Sequence, residues 1–373
     1  MKFEKASTMH NSEKMEMPAM GVSIVVPCRN EIRHIRDFLE SVLRQDVAGM
    51  NVEVLIADGG STDRTRQVLD RFERWSKQNR VALRVIDNPG KIVSTGLNAA
   101  IRAASGEFII RMDVHTRYAP DYVQNCIKIL RETDADNVGG PALTRAEGYM
   151  AQAIAHAYHA WFASGGAKFH NARYEGPVDT VPYGCWKKST LERVGLFDEK
   201  LVRSQDAELN LRIASSGGKI WQSPKITSWY SPRKSLRALF CQHFQYGYWK
   251  VSVIRKHRKP ASLRSLAPGI CLLAALLLLV FAAAANLGGF AWWRHLFLSS
   301  LAILAGSYFA ASFFASIQAA NEYGGEFLPV FPIVFATYHL SYGLGFLLAV
   351  SCRPATRDRF TSIQKVVSAM TNE

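Results

Sequence analysis

Asp113 and His115 stand two residues apart in "RMDVHT", directly after the apolar run "GEFII". A carboxylate at the carboxyl end of a buried strand, followed at that spacing by a second polar group, suits a metal and phosphate site. The alternative is an ordinary turn that happens to hold a histidine. Asp58 ends another apolar run in "IADGGSTDRT". The glycines there let a ligand approach the backbone, and the carboxylate can accept its hydrogen bonds. The plain alternative is a strand-to-helix turn with Asp63 as its cap. Asp206 and Glu208 in "RSQDAELNLRI" open a helix whose N-terminal dipole favours Asp206 as an anion, and by itself this pair reads as a cap. Asp58 and Asp113 would open onto one edge of one sheet, at neighbouring strand ends. Buried like charges need compensation. A divalent cation with a nucleotide diphosphate would supply it.

The elements that must position these residues follow from periodicity. Strands are predicted over 22–27, 52–58, 81–87 and 107–113, each a continuous apolar run. Helices are predicted over 31–45, 62–78, 92–105 and 119–132, with Ile32, Ile35, Leu39 and Val42 on one face of the first. Strand–helix alternation of this kind implies an α/β fold with a mostly parallel sheet covered on both faces, and ligands at the carboxyl ends of its strands. No G-x-G-x-x-G follows the first strand, which argues against a dinucleotide-binding domain. Further helices are expected over 149–163 and 206–218.

The formal net charge is +14, and nine of the positive residues lie between Ser231 and Arg264 without an acidic one. They are Arg233, Lys234, Arg237, Lys250, Arg255, Lys256, Arg258, Lys259 and Arg264. The block precedes a long apolar run, so it reads as a cytoplasmic juxtamembrane segment and not as a nucleic-acid surface, for which no reading motif is present. Within it, 234–258 has helical spacing with aromatics and bases mixed, as in a helix on a membrane surface. Three apolar stretches follow, Leu266–Leu287, His295–Ala320 and Phe327–Ser351, each near the roughly 20 residues that span a bilayer. Three full spans would put "RPATRDR" outside, against the positive-inside tendency. One stretch is therefore suspected of being a hairpin or interfacial, with Pro329 and Pro332 pointing at the last. The six cysteines have no pairing or metal spacing, and the first 20 residues have no apolar core of the signal-peptide kind.

Five motifs occur in order: "SIVVPCRNE", "ADGGSTDRT", "GLNAAIRAASGEFIIRMDVH", "VPYGCWKKSTLERVGLFDE" and "SQDAELNLRI". Together they resemble the inverting glycosyltransferases of family 2, over roughly residues 22–249, and in particular members that serve bacterial exopolysaccharide assembly. The resemblance implies a GT-A fold, doubly wound about a mostly parallel sheet. It implies that Pro27, Arg29 and Glu31 line the nucleotide pocket, that Asp58 accepts from the uracil ring, and that Lys91 and Asn98 flank the nucleotide. Asp113 takes the first position of the family's D-x-D motif, facing ribose, diphosphate and metal, and His115 takes the second. Asp206 occupies the place of the catalytic base. Gly184, Gln205 and Trp249 fall where donor and acceptor sugars are approached.

Two departures stand out. The Glu-Asp that often carries the base is here Gln205-Asp206, so the neighbouring negative charge is gone. The Q-x-x-R-W of processive synthases is here Gln245, Tyr248 and Trp249, with Tyr in place of the phosphate-clamping Arg. That departure, with only three spans, argues against a processive β-glucan synthase. The presence of Asp206 argues against a silent nucleotide-sugar-binding scaffold.

The expected organisation is a tail over 1–20, a catalytic domain over 21–230, a basic juxtamembrane segment over 231–265, membrane helices over 266–352 and a tail over 353–373. The expected activity is transfer of a sugar, glucose, from a UDP-sugar to a polyprenyl-diphosphate-linked oligosaccharide, with Mn2+ or Mg2+. Imidazole at His115 favours Mn2+. The inner membrane is the expected location, with the catalytic domain in the cytoplasm.

Overall fold

The computed structural model describes residues 20–78, 82–260 and 262–352. Both expected tails, apart from Met20, and Val81 of the third expected strand lie outside the described residues. Four strands pair in parallel in the order β3-β2-β1-β4: β1 Met20–Cys28, β2 Met50–Asp58, β3 Ala82–Asp87 and β4 Phe108–Arg111. The crossovers carry α1 Ile35–Leu43, α2 Thr65–Gln78 and α3 Val93–Ala103. Successive residues of β1 enter different cores. Val22, Ile24 and Val26 pack with Phe38 and Leu39 of α1, while Val25 packs with Leu55, Leu97 and Ile101 on the other face. Burial on both faces is why "VSIVVP" reads as one unbroken apolar run.

The rest of the chain supplies shorter pieces. They are β5 Thr116–Tyr118, α4 Tyr122–Thr133, β6 Asn137–Gly139, β7 Leu143–Thr144, α5 Tyr149–His159, α6 Trp161–Ser164, β8 Gly176–Pro177 and β9 Cys185–Lys187. Then come α7 Lys188–Val194, α8 Gln205–Ser215, β10 Ile220–Gln222, β11 Ser228–Tyr230 and α9 Leu236–His257. The large sheet runs β3-β2-β1-β4-β9-β6-β10-β8, and β9 lies antiparallel between β4 and β6. A small sheet has the order β5-β11-β7.

Three expectations change. The strand predicted through 113 stops at Arg111, so Asp113 sits in the turn beyond it. The helix predicted over 149–163 breaks into α5 and α6 at Ala160, whose backbone is extended (φ −64, ψ 138). Asp58 and Asp113 are not on neighbouring strands, because β1 runs between them.

Three C-terminal helices, α10 Ala267–Leu287, α11 Ala291–Tyr323 and α12 Phe331–Ser351, contain segments long and apolar enough to cross a membrane. They differ in surroundings. Only 11% and 6% of the apolar windows of α10 and α11 are buried within the protein, against 39% for α12. Helix α12 lies against α9 with the backbones touching. A Cβ on Gly247 would stand 2.0 Å from the Tyr342 carbonyl oxygen, and one on Gly345 would stand 2.0 Å from that of Phe244. The middle of α12 reaches α5 and α6, where Tyr338 donates to the Ile154 carbonyl at 3.3 Å and His339 lies 2.9 Å from that of Phe162. Its end is held by Arg255, which donates to the carbonyls of Val350 and Cys352 at 3.0 Å.

Helix α9, capped by the Ser235 hydroxyl, is itself bound to α8. The fully buried carboxylate of Glu208 is met by Arg212 at 2.9 Å, Lys256 at 2.8 Å and His257 at 2.9 Å. Glu208 is therefore more than a capping residue. Burial alone would raise its pKa, but hydrogen bonds from Arg212 and Lys256 bring it below its ordinary value. A carboxylate with a depressed folded pKa stabilises the fold above its unfolded pKa, and that contribution is lost as pH falls through the folded value. Glu208→Gln should therefore cost about 3 kcal/mol at neutral pH, because the cations it serves are left unpaired. The variant should also lose part of the wild-type decline in stability at acid pH. Urea unfolding followed by tryptophan fluorescence from neutral to acid pH would measure this. An unchanged acid limb would show that another group carries it.

Candidate active site

The site is built around one guanidinium. Arg111, the last residue of β4, is 4% exposed. A buried cation in an otherwise apolar strand must find anions. Its Nε and Nη2 donate to the two carboxylate oxygens of Asp113 at 2.8 and 2.9 Å, and its Nη1 binds Oδ1 of Asp206. One side chain thus brackets the carboxylate after β4 and the one opening α8. Burial opposes its charge, but Asp113 and Asp206 outweigh this and raise its pKa.

The two carboxylates respond differently. At Asp113 burial would raise the pKa, but the paired Arg111 holds it below the ordinary value. At Asp206 burial raises it, and Arg111 opposes this without overcoming it, while the Asp113 charge adds to the rise. The dipole argument taken from sequence pointed the other way for Asp206, and burial reverses it. Oδ2 of Asp206 forms no hydrogen bond among the described residues, and the side chain is 33% exposed. One oxygen is anchored and the other is open, which is the arrangement a proton acceptor needs.

The turn after β4 is held by tyrosines. The Asp113 backbone N–H donates to the Tyr118 hydroxyl at 2.6 Å, and the Tyr183 and Thr116 hydroxyls lie 2.7 Å apart. Tyr183 and Gly184 both have positive φ, at 62 and 104. The Gly184 carbonyl accepts from the Arg111 N–H at 3.1 Å, and a Cβ there would stand 2.4 Å from the Trp186 ring. Only glycine fits where the loop closes on β4. His115 is half-exposed, its Nδ1 3.5 Å from Glu31 and its ring edge-on to Tyr230. Burial lowers its pKa, and Glu31 with Asp113 more than reverses that.

On the other side of β1, at the end of β2, Asp58 is buried and accepts from the Ser61 hydroxyl at 2.5 Å, with Arg66 at 3.6 Å. Arg29 packs over Gly59 and points Nη1 to the Lys91 carbonyl at 3.5 Å, while the Lys91 side chain approaches Gly60. Pro27 lies beside Ala57 in the β1–β2 ladder. Pro27, Arg29, Glu31, Asp58, Lys91, Asp113 and His115 therefore gather at the carboxyl ends of β1, β2 and β4. The compensation expected from a metal and a diphosphate is provided within the chain by Arg111 and Arg66.

Three residues fall elsewhere. Asn98 is buried and clasps the Phe197 backbone through its amide at 2.8 Å and its carbonyl at 2.9 Å, so it positions a loop and does not flank the pocket. Trp249 is 1% exposed in an apolar cluster with Leu201, Val253 and Ala349. The reason is that α12 covers the face of α9 on which it lies. Gln205 is buried at the start of α8. Reading the sequence missed Arg111, Tyr118, Tyr183, Tyr230 and Arg203. A detectable signal existed for the first alone, a charge inside "EFIIRMD".

No group of three or more His, Cys, Asp or Glu able to hold a metal occurs among the described residues. Asp113 and His115 nevertheless fit a cation that takes most of its ligands from a phosphate. Each Asp113 oxygen accepts only one bond from Arg111 and keeps a lone pair, and His115 Nε2 is unbonded among the described residues.

The sequence profile of glycosyl transferase family 2 matches residues 23–187. The succinoglycan biosynthesis protein ExoA of Rhizobium meliloti is 32% identical over 255 residues, 68% of this chain and 76% of that one. A Methanococcus voltae dolichyl N-acetyl-α-D-glucosaminyl phosphate 3-β-D-2,3-diacetamido-2,3-dideoxy-β-D-glucuronosyltransferase is 31% identical over 241 residues, 63% of this chain and 74% of that one. The fold matches mannosyltransferase PcManGT of Pyrobaculum calidifontis, a structure with GDP-Man and Mn2+, at TM-score 0.56 and 19% identity over 88% and 87% of the two chains. The chain belongs to glycosyltransferase family 2, with a GT-A fold followed by apolar helices that suggest membrane association.

Removing the central guanidinium would leave two carboxylates facing each other. Arg111→Gln should abolish sugar transfer and lower unfolding stability by about 3 kcal/mol. Calorimetry in detergent would test this, and a variant melting with the wild type would deny Arg111 its bracketing role.

Proposed function

We propose that the protein is an inverting glycosyltransferase that moves a sugar, glucose, from a UDP-sugar to a polyprenyl-diphosphate-linked oligosaccharide in exopolysaccharide biosynthesis. The observation that carries this reading is Asp206, anchored through one oxygen by Arg111 and open at the other, beside Asp113 at the end of β4. The likeness to a protein named for succinoglycan biosynthesis supports the exopolysaccharide, and the likeness to one named for a dolichyl-phosphate-linked sugar supports the lipid carrier.

In this mechanism the acceptor hydroxyl loses its proton to Oδ2 of Asp206 as its oxygen attacks the anomeric carbon. The bond from that carbon to the diphosphate breaks, and UDP leaves with the electron pair. One displacement inverts the anomeric centre, so an α-linked donor gives a β-linkage. The raised pKa of Asp206 makes it a stronger base than an exposed carboxylate. Arg111 keeps it in place, and Asp58, Arg29 and Lys91 line the uridine end. Asp113 and His115 would hold a divalent cation, Mn2+ or Mg2+, which would supply Lewis-acid neutralisation of the diphosphate.

Asp206→Asn should abolish transfer while UDP affinity stays within about twofold, because the amide keeps the shape and loses the base. The assay is UDP release from UDP-glucose with Mn2+ or Mg2+ and a membrane lipid extract as acceptor, run beside His115→Asp. Near-normal turnover by Asp206→Asn would remove the base assignment. An identical metal profile in His115→Asp would remove His115 as a ligand.

The membrane part is proposed to be a hairpin of α10 and α11 in the inner membrane, with the catalytic domain in the cytoplasm. Helix α12 packs on α5 at its start, bonds to Ile154 and Phe162 at its middle and is held at its end by Arg255 of α9, and a helix crossing about 30 Å of hydrocarbon could not. Its end then stays on the cytoplasmic side, with Arg353, Arg357 and Arg359, in keeping with the positive-inside tendency. C-terminal fusions decide this: green fluorescent protein should fluoresce and alkaline phosphatase should be silent. The reverse pattern would make α12 a third span.

A further inference from the structure

Arg203 lies three residues before Asp206, on the loop entering α8. It is half-buried, and its Nε donates to Oε1 of Gln245 on α9 at 3.1 Å. Among the described residues its two terminal nitrogens form no hydrogen bond, and it joins no ion pair. Arg233, whose charge also reaches the site, is likewise unpaired among the described residues but exposed, and three others are engaged. Arg111 is shared between Asp113 and Asp206, Arg66 between Asp58, Asp70 and Asp87, and Arg29 reaches the Lys91 carbonyl. The bond to Gln245 holds the guanidinium between α9 and the loop that leads into Asp206. The next residue, Ser204, has left-handed backbone (φ 62), a conformation a non-glycine residue keeps only where its surroundings impose it.

A half-buried guanidinium held at Nε and open at both terminal nitrogens presents a fork, the geometry that matches a phosphate. Tyr248, which stands where an arginine would project from α9, is 1% exposed and cannot serve. We propose that Arg203, aimed by Gln245, is the phosphate-binding fork of this site and recognises a diphosphate, that of the nucleotide-sugar or that of the lipid carrier. The donor half of this statement rests on the UDP-sugar reading above. Gln245 is a positioning residue. It orients the guanidinium and does not touch the ligand.

The experiment measures discrimination between diphosphates and monophosphates on the full chain in detergent. In one arm, UDP and UMP are titrated with Mn2+ present. In the other, farnesyl diphosphate and farnesyl monophosphate compete against sugar transfer. Arg203→Gln should lose roughly tenfold in affinity for the diphosphate in one arm, the scale of one charge-assisted bond pair, and leave the matching monophosphate within about twofold. Arg203→Lys, which keeps the charge without the fork, should recover part of the loss. Gln245→Ala should show a smaller loss in the same arm. A loss in the uridine arm assigns the fork to the donor, and one in the farnesyl arm assigns it to the acceptor. Unchanged discrimination in both arms, with melting as in the wild type, overturns the proposal. Arg203→Gln acting while Gln245→Ala does not would overturn the positioning role. A wild-type chain that binds no uridine nucleotide would fail the UDP-sugar reading instead, and the farnesyl arm would still report on Arg203.

Discussion

Two carboxylates that must work within a few ångströms of each other repel, and the buried guanidinium of Arg111 is what lets them coexist. It enters from the end of β4, donates to Asp113 on one side and to Asp206 on the other, and has its own backbone N–H bound by the Gly184 carbonyl. The strand, the glycine loop and the start of α8 therefore converge on a single ion. Because the field around it is uneven, one carboxylate is held firmly ionised and the other is pushed toward basicity. A separation of roles between chemically identical groups follows from geometry alone.

Helix α8 extends that constraint to the apolar C-terminal helices. Asp206 faces Arg111, and two residues later Glu208 faces the opposite way into Lys256 and His257 of α9. Helix α9 in turn carries α12 along its glycine-lined face, and α12 touches α10 and α11. The apolar helices are thus joined to the helix that holds Asp206 by a short chain of charged and backbone contacts. In this arrangement the bases of α9 act partly as internal ties, with Lys256 and Arg255 satisfied by protein partners.

Much of this was legible in the sequence because it depends on local pattern. Apolar runs buried on both faces announce themselves, so the four parallel strands and their crossover helices were readable. The sheet edge that Asp58 and Asp113 share was readable too, but not the strand that runs between them. Strands β5 to β11 were not readable, since two or three residues carry no period. Asn98 and Trp249 misled for a related reason. Both lie within motifs, yet their side chains turn inward, one to clasp Phe197 and the other to meet α12. Which face of a helix becomes covered depends on segments far along the chain.

The sequence by itself determined the α/β core, the order of the acidic residues along it, the family, and three stretches apolar enough for a bilayer. These follow from composition and spacing, which are properties of the chain. Only the tertiary structure decided that Arg111 pairs both carboxylates, that Asp206 is raised while Asp113 is lowered, that α12 lies on α9, and that Arg203 remains open. Each of these is a matter of through-space distance and desolvation between residues far apart in sequence, and no local pattern encodes it.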